Sequence, residues 1–105
     1  MEAQAPILVI EGLDVLAFSS IEAAQRHLEP WWVTEERGRV YDASGRRMKA
    51  VCRGRSVVLS VDREGGMREG ELSTALRAHF RAIGIPTLSD ESSSLSQMVA
   101  ALTVQ

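Results

Sequence analysis

Cysteine occurs once in the 105 residues, as Cys52, so no internal disulfide can form. That excludes a disulfide-stapled scaffold and fits a reducing compartment. No apolar run approaches the roughly 20 residues that a membrane helix takes. The opening Met1-Glu2-Ala3-Gln4-Ala5-Pro6 lacks the basic segment and long apolar stretch of a signal peptide, so a cytoplasmic location with no membrane partner is expected. Histidine is scarce as well: His27 and His79 are the two, and no Cys-x-x-Cys or His-x-x-x-His spacing exists. A metal site would have to be assembled from scattered residues, so none is expected. Gly65-Gly66 lacks the lysine and Ser/Thr that complete a phosphate-binding loop. Cys52 as a nucleophile needs an adjacent base, whereas as a small strand residue it needs nothing. These absences point away from an enzyme and from a bound cofactor.

What is present suits one globular domain with a single core: 45% hydrophobic and 25% charged residues. Ile7-Leu8-Val9-Ile10 and Val15-Leu16-Ala17-Phe18 read as a hairpin joined through Glu11-Gly12-Leu13-Asp14. Ser19 and Glu22 have capping-box spacing, and Ile21, Ala24 and Leu28 share a helical face, so a helix is predicted over about 20–29. Pro30 is expected to end it and to turn residues 31–36 into a strand. Alternation punctuated by Gly38, Gly45 and Gly54 predicts further strands near 39–42, 47–52 and 56–62, with Asp42-Ala43-Ser44-Gly45 as a turn. Leu72, Ala75, Leu76, His79, Phe80 and Ile83 recur at helical spacing, predicting a helix over about 69–83 that Gly84 and Pro86 stop. The polar stretch 89–94 leads into Leu95, Met98, Val99 and Leu102, with Ser94 and Gln97 at capping-box spacing. The expected architecture is α+β: a mainly antiparallel sheet of five or six strands, two helices packed on one face, and a short C-terminal helix. Residues 1–86 form the domain, and 87–105 a linker and helix that is docked or ordered by a partner.

Two features suggest a working surface. Trp31 and Trp32 are the only tryptophans and stand side by side. On a strand they would face opposite ways, one into the core and one outward, and an outward indole suits a binding hot spot. Charge is also segregated: residues 1–36 hold one Arg against seven Asp/Glu, a balance of −6, while 37–55 hold seven Arg/Lys against Asp42, a balance of +6. Candidate partner-binding residues are therefore Trp31, Trp32, Glu35, Arg37, Arg39, Arg46, Arg47, Lys49, Arg53 and Arg55. Glu22, Glu29, Glu35 and Glu36 would suit a basic partner and the Arg belt an acidic one. A pI of about 5.7, with Tyr41 alone as an interleaved stacking ring, argues against nucleic acid. The bland alternatives are a Trp pair covered by other elements and a charged, solvated strand edge.

Ser20-Ile21-Glu22-Ala23-Ala24 with Leu28-Glu29-Pro30, followed by Val40-Tyr41-Asp42-Ala43-Ser44-Gly45-Arg46, resembles a set of small bacterial proteins. In these an S-x-E-E-A-x-x-Y-L-E-P segment precedes a Y-D-x-x-G-R turn. The likeness spans about residues 14–47, with His27 where the pattern has an aromatic and Trp31-Trp32 in place of a milder pair. It implies a single-domain immunity or accessory protein of bacterial competition systems, and it assigns no active site. The expected function is non-catalytic binding of a protein partner, such as a toxin. The alternatives are a nucleic-acid-binding accessory domain that uses residues 37–55, and a homodimer.

Overall fold

The structure, a computed structural model, describes residues 3–105. Strands β1 (Ile7–Glu11), β2 (Asp14–Phe18), β3 (Arg39–Tyr41), β4 (Arg47–Arg53) and β5 (Ser56–Val61) form one antiparallel sheet in the order β2-β1-β3-β4-β5. Helices α1 (Ile21–His27), α2 (Pro30–Thr34), α3 (Glu69–Ala82) and α4 (Leu95–Ala100) complete the α+β architecture. No helix among the described residues is long and apolar enough to cross a membrane.

The helices do not share one face of the sheet as expected; they cover both. On one side Ala24 of α1, Leu28 just past its end and Trp32 of α2 pack against Ile7, Val9, Val40, Met48, Val57 and Leu59. On the other, Leu72, Leu76 and Phe80 of α3 and Met98 of α4 pack against Leu8, Ile10, Ala17 and Tyr41. The reason lies in β1, where every residue from Ile7 to Ile10 is apolar and buried. A strand that is apolar at successive positions needs cover on both faces, as central strands of layered folds do.

The α3 side is only partly covered. Arg47 stands opposite Tyr41, so Lys49, Val51 and Arg53 follow on the same face by the two-residue period. Their partners across β5 are Ser60, Val58 and Ser56. No helix buries this half of the hairpin: Lys49, Arg53, Ser56 and Ser60 are exposed, and Val51 and Val58 are half-buried.

Residues 31–34, expected in a strand, are helical. Pro30 occupies the first turn of α2, where its missing N–H costs no intrahelical bond and its fixed φ is already suitable. So short a helix is marginal alone, and tertiary contacts hold it. Trp32 is 6% exposed, and its indole Nε1 donates to Glu11 Oε2 at 3.1 Å. The Thr34 hydroxyl donates to the Pro30 carbonyl at 3.0 Å. Glu36 adopts a positive φ of 50° and turns the chain toward β3. Gly38 then passes so near β1 that a Cβ would lie 2.1 Å from the Ile10 carbonyl oxygen and 2.8 Å from Trp32 Cζ2.

At α1 the cap is Ser20 rather than Ser19: its Oγ accepts from the Ala23 amide at 3.1 Å. The box at α4 forms as spaced, with Ser94 and Gln97 satisfying each other's backbone amides. The polar stretch before α4 is fastened to the body, since Arg77 donates to the carbonyls of Asp90 and Ser93 and the Ser93 hydroxyl donates to Thr87.

Candidate interaction surfaces

Successive residues of a helix are separated by about 100° around its axis. That separation, rather than strand alternation, divides the tryptophans: Trp32 enters the core while Trp31 is 50% exposed. Trp31 stands at a groove of about 540 Å³ lined also by Val9, Val15, Leu16, Leu28, Trp32, His27 and His79. Glu11, Asp14 and Glu29 also line it, and no lysine or arginine does among the described residues. His27 packs on Phe18 with ring centroids 5.0 Å apart, and Nδ1 of His79 lies 2.9 Å from the Leu13 carbonyl. The Arg37 guanidinium sits 5.5 Å from the Trp31 ring centroid and 3.8 Å from the Glu35 carboxylate.

The arginine belt does not stay together. Arg39, Arg47, Lys49 and Arg53 share the α3 side by strand parity. Arg37 lies beside Trp31. Arg55, in the β4–β5 turn, lines a shallow cleft with Glu22, Gln25, Arg26 and Glu29. Arg46 closes the β3–β4 turn through its backbone, its N–H donating to Asp42 Oδ1 at 2.9 Å. The bland reading of the belt as an edge strand also fails, because β4 lies between β3 and β5 and the edges are β2 and β5.

Arg39 and Arg47 are held in place. Arg39 Nη1 is 2.8 Å from Glu71 Oε1 and Arg47 Nη1 is 3.7 Å from it, and their guanidinium carbons lie 5.8 Å and 5.4 Å from the Tyr41 ring centroid. The buried Tyr41 hydroxyl donates to the same Glu71 oxygen. That hydrogen bond, joined by the two arginines, keeps the Glu71 carboxyl below its usual range. Burial, then the bond to Glu71, pushes the Tyr41 phenol up. Lys49 and Arg53 have no such partner among the described residues. A cleft of about 430 Å³ lined by residues of α2, β3 and β4 brings Arg39, Arg47 and Lys49 together with Glu36 and Asp62, so the local field there is mixed.

Residues of the two quoted motifs carry structure. The Asp42 carboxylate is fully buried and accepts from the Gln4, Ser44 and Arg46 amides and the Ser44 hydroxyl. Gly45 has a φ of 96°, and a Cβ there would meet the Glu69 backbone at 3.0 Å. Ser20 caps α1, Leu28 fills the core and Pro30 starts α2.

The groove draws on residues that sequence reading left in a turn or set aside: Glu11, Asp14, His27 and His79. The β1–β2 turn was legible, but that α2 lies beside it was not, because that proximity is set by where Trp32 packs. Among the described residues, no group of three or more His, Cys, Asp and Glu is placed to hold a metal ion. Compared with protein-family models, with curated proteins and with solved structures, the chain matches none of them.

Proposed function

We propose that the protein is a non-catalytic binding module of the immunity or adaptor kind, which holds a protein partner, such as a bacterial toxin, against the surface around Trp31. The observation that carries this reading is the contrast between neighbours: Trp32 is locked in the core and hydrogen-bonded to Glu11, while Trp31 stands half exposed beside an apolar groove. An exposed indole on so fixed a support loses little freedom when it is covered, and tryptophan leads the residues on which binding energy concentrates. The test is affinity capture from cells that make the protein, comparing wild type with Trp31→Ala. A protein retained by wild type, lost with Trp31→Ala, and forming a stoichiometric complex when both are purified supports the reading. Equal retention by both forms contradicts it.

A second reading, binding of nucleic acid, is favoured by the uncovered face of β4 and β5, where Lys49 and Arg53 are exposed. Against it stand Glu71, Asp62 and a pI of about 5.7. Binding to nonspecific DNA that weakens steeply with salt would support it, and no binding at low salt would remove it.

A further inference from the structure

We infer that the groove beside Trp31 receives a cationic side chain, arginine or lysine, from a basic segment of the protein partner; this rests on the binding-module reading above and specifies its chemistry. Part of the groove lining is apolar, with Val9, Leu16 and Leu28, and its volume of about 540 Å³ lies within the usual range of ligand sites, ~300–1,000 Å³. Its ionised groups are of one sign: Glu11, Asp14 and Glu29, with no lysine or arginine in the lining among the described residues. Carboxylates on low-dielectric walls focus a negative potential outward. A long basic side chain matches both parts, since its methylene stem covers apolar surface while its head reaches the acids.

A second observation points the same way. The molecule already sets a guanidinium on the exposed indole, Arg37 at 5.5 Å from the Trp31 centroid. The attraction is that of a cation for the ring's negative face, and a partner's arginine would make the same contact on the face left free or in place of Arg37. The charge pattern of the whole chain agrees: the groove is built from residues 9–32 and His79, almost all within the segment whose balance is −6, with Arg37 at its Trp31 edge and Arg26 and Arg55 in the neighbouring cleft that Glu29 also lines. An approaching basic surface is drawn to this end of the molecule before contact.

The experiment follows both indole N–H resonances of the isotope-labelled protein at 50 mM salt as blocked hexa-arginine, hexa-lysine, hexa-glutamine and hexa-glutamate peptides are added. The two basic peptides are expected to shift the Trp31 indole and the amides of Glu11–Asp14 saturably. The affinity should fall at least tenfold in the double variant Asp14→Asn, Glu29→Gln. Both side chains are exposed and without a hydrogen bond or ion pair, so an unchanged circular dichroism spectrum is expected to accompany that loss. The glutamine and glutamate peptides should leave the resonances in place. Equal binding of hexa-glutamate, no saturable shift with either basic peptide, or shifts confined to Lys49–Arg53 would overturn the inference. So would a dimer in light scattering that dissociates, freeing the groove, when Arg53 and Arg55 are changed to Glu, since the cations would then come from a second copy. If Trp31→Ala abolishes capture of a protein while neither basic peptide binds, the binding-module reading stands and the cation falls. Basic-peptide binding with no Trp31-dependent protein partner has the opposite meaning.

Discussion

The groove beside Trp31 and the uncovered face of β4 and β5 are both open, but they hold charge differently. In the groove, three carboxylates stand beside apolar residues with no lysine or arginine in the lining among the described residues, and an indole projects beside them. On the sheet face the cations form a gradient: Arg39 and Arg47 are tied to Glu71 and Tyr41, and Lys49 and Arg53 are loose. A charge already paired contributes little to a partner, and long flexible cations lose entropy when they are ordered. The groove therefore combines shape, apolar surface and a predominantly negative lining, whereas the sheet face contributes field alone. That contrast is why we propose Trp31, rather than the arginine belt, as the recognition surface.

The comparison is broken most forcefully at its support. Trp32→Ala should lower stability by ~3–5 kcal/mol, as losses of core aromatic rings do, while Trp31→Ala costs less than ~1 kcal/mol; urea denaturation followed by circular dichroism reads both. Equal large losses would mean that Trp31 is structural. Gly38→Ala should cost ~2–3 kcal/mol as an overpacked site, because its Cβ would press on the Ile10 carbonyl and the Trp32 ring together. It should also broaden the Trp32 indole resonance, and an unchanged denaturation midpoint would contradict the close approach.

On the sheet face the effects are smaller. Tyr41→Phe keeps the buried ring and removes the hydroxyl that donates to Glu71, so a loss of ~1 kcal/mol is expected by the same denaturation measurement. Stability should also depend on pH with a definite sign. Glu71 has a lowered pKa in the fold, so its contribution is present above the unfolded carboxyl value and fades as pH falls through the folded one. Tyr41 has a raised pKa, so its contribution is complete below the ordinary phenol value and is lost as pH rises through the folded one. Because the Glu71 side chain is 38% exposed, solvent screens the acid-side effect to under ~1 kcal/mol. Glu71→Gln should flatten that acid limb when the urea midpoint is measured from pH 7 to pH 3. Smallest of all, Lys49→Gln with Arg53→Gln should leave stability within ~0.5 kcal/mol, and partner affinity unchanged if the groove is the site.

Most of the strands and the turns at Glu11–Asp14 and Asp42–Gly45 were legible because their signals are local. Asp42 and Gly45 specify a turn through one buried carboxylate and one positive φ, and the alternation of Val57, Leu59 and Val61 marks a half-covered strand. The helical spacing of Leu72, Leu76 and Phe80 likewise survives into α3, although Ile83 lies past its end and is exposed. Pro30 misled because proline both stops a helix and starts one, and only the burial of Trp32 decides between them. The two-sided cover of the sheet was written in Ile7-Leu8-Val9-Ile10, where no polar residue marks a solvent face. The groove itself was not legible. Glu11, Asp14 and His79 lie far from Trp31 in the chain and meet it only after α2 and α3 have packed on β1 and β2.

The central claim is that one indole holds the fold and its neighbour recognises a partner. Its most direct test is calorimetric titration of the captured partner with wild type and with Trp31→Ala. A loss of affinity of about 30-fold or more, as a hot-spot residue of ~2 kcal/mol implies, with an unchanged urea midpoint, is the predicted result. Equal dissociation constants for the two proteins would contradict it.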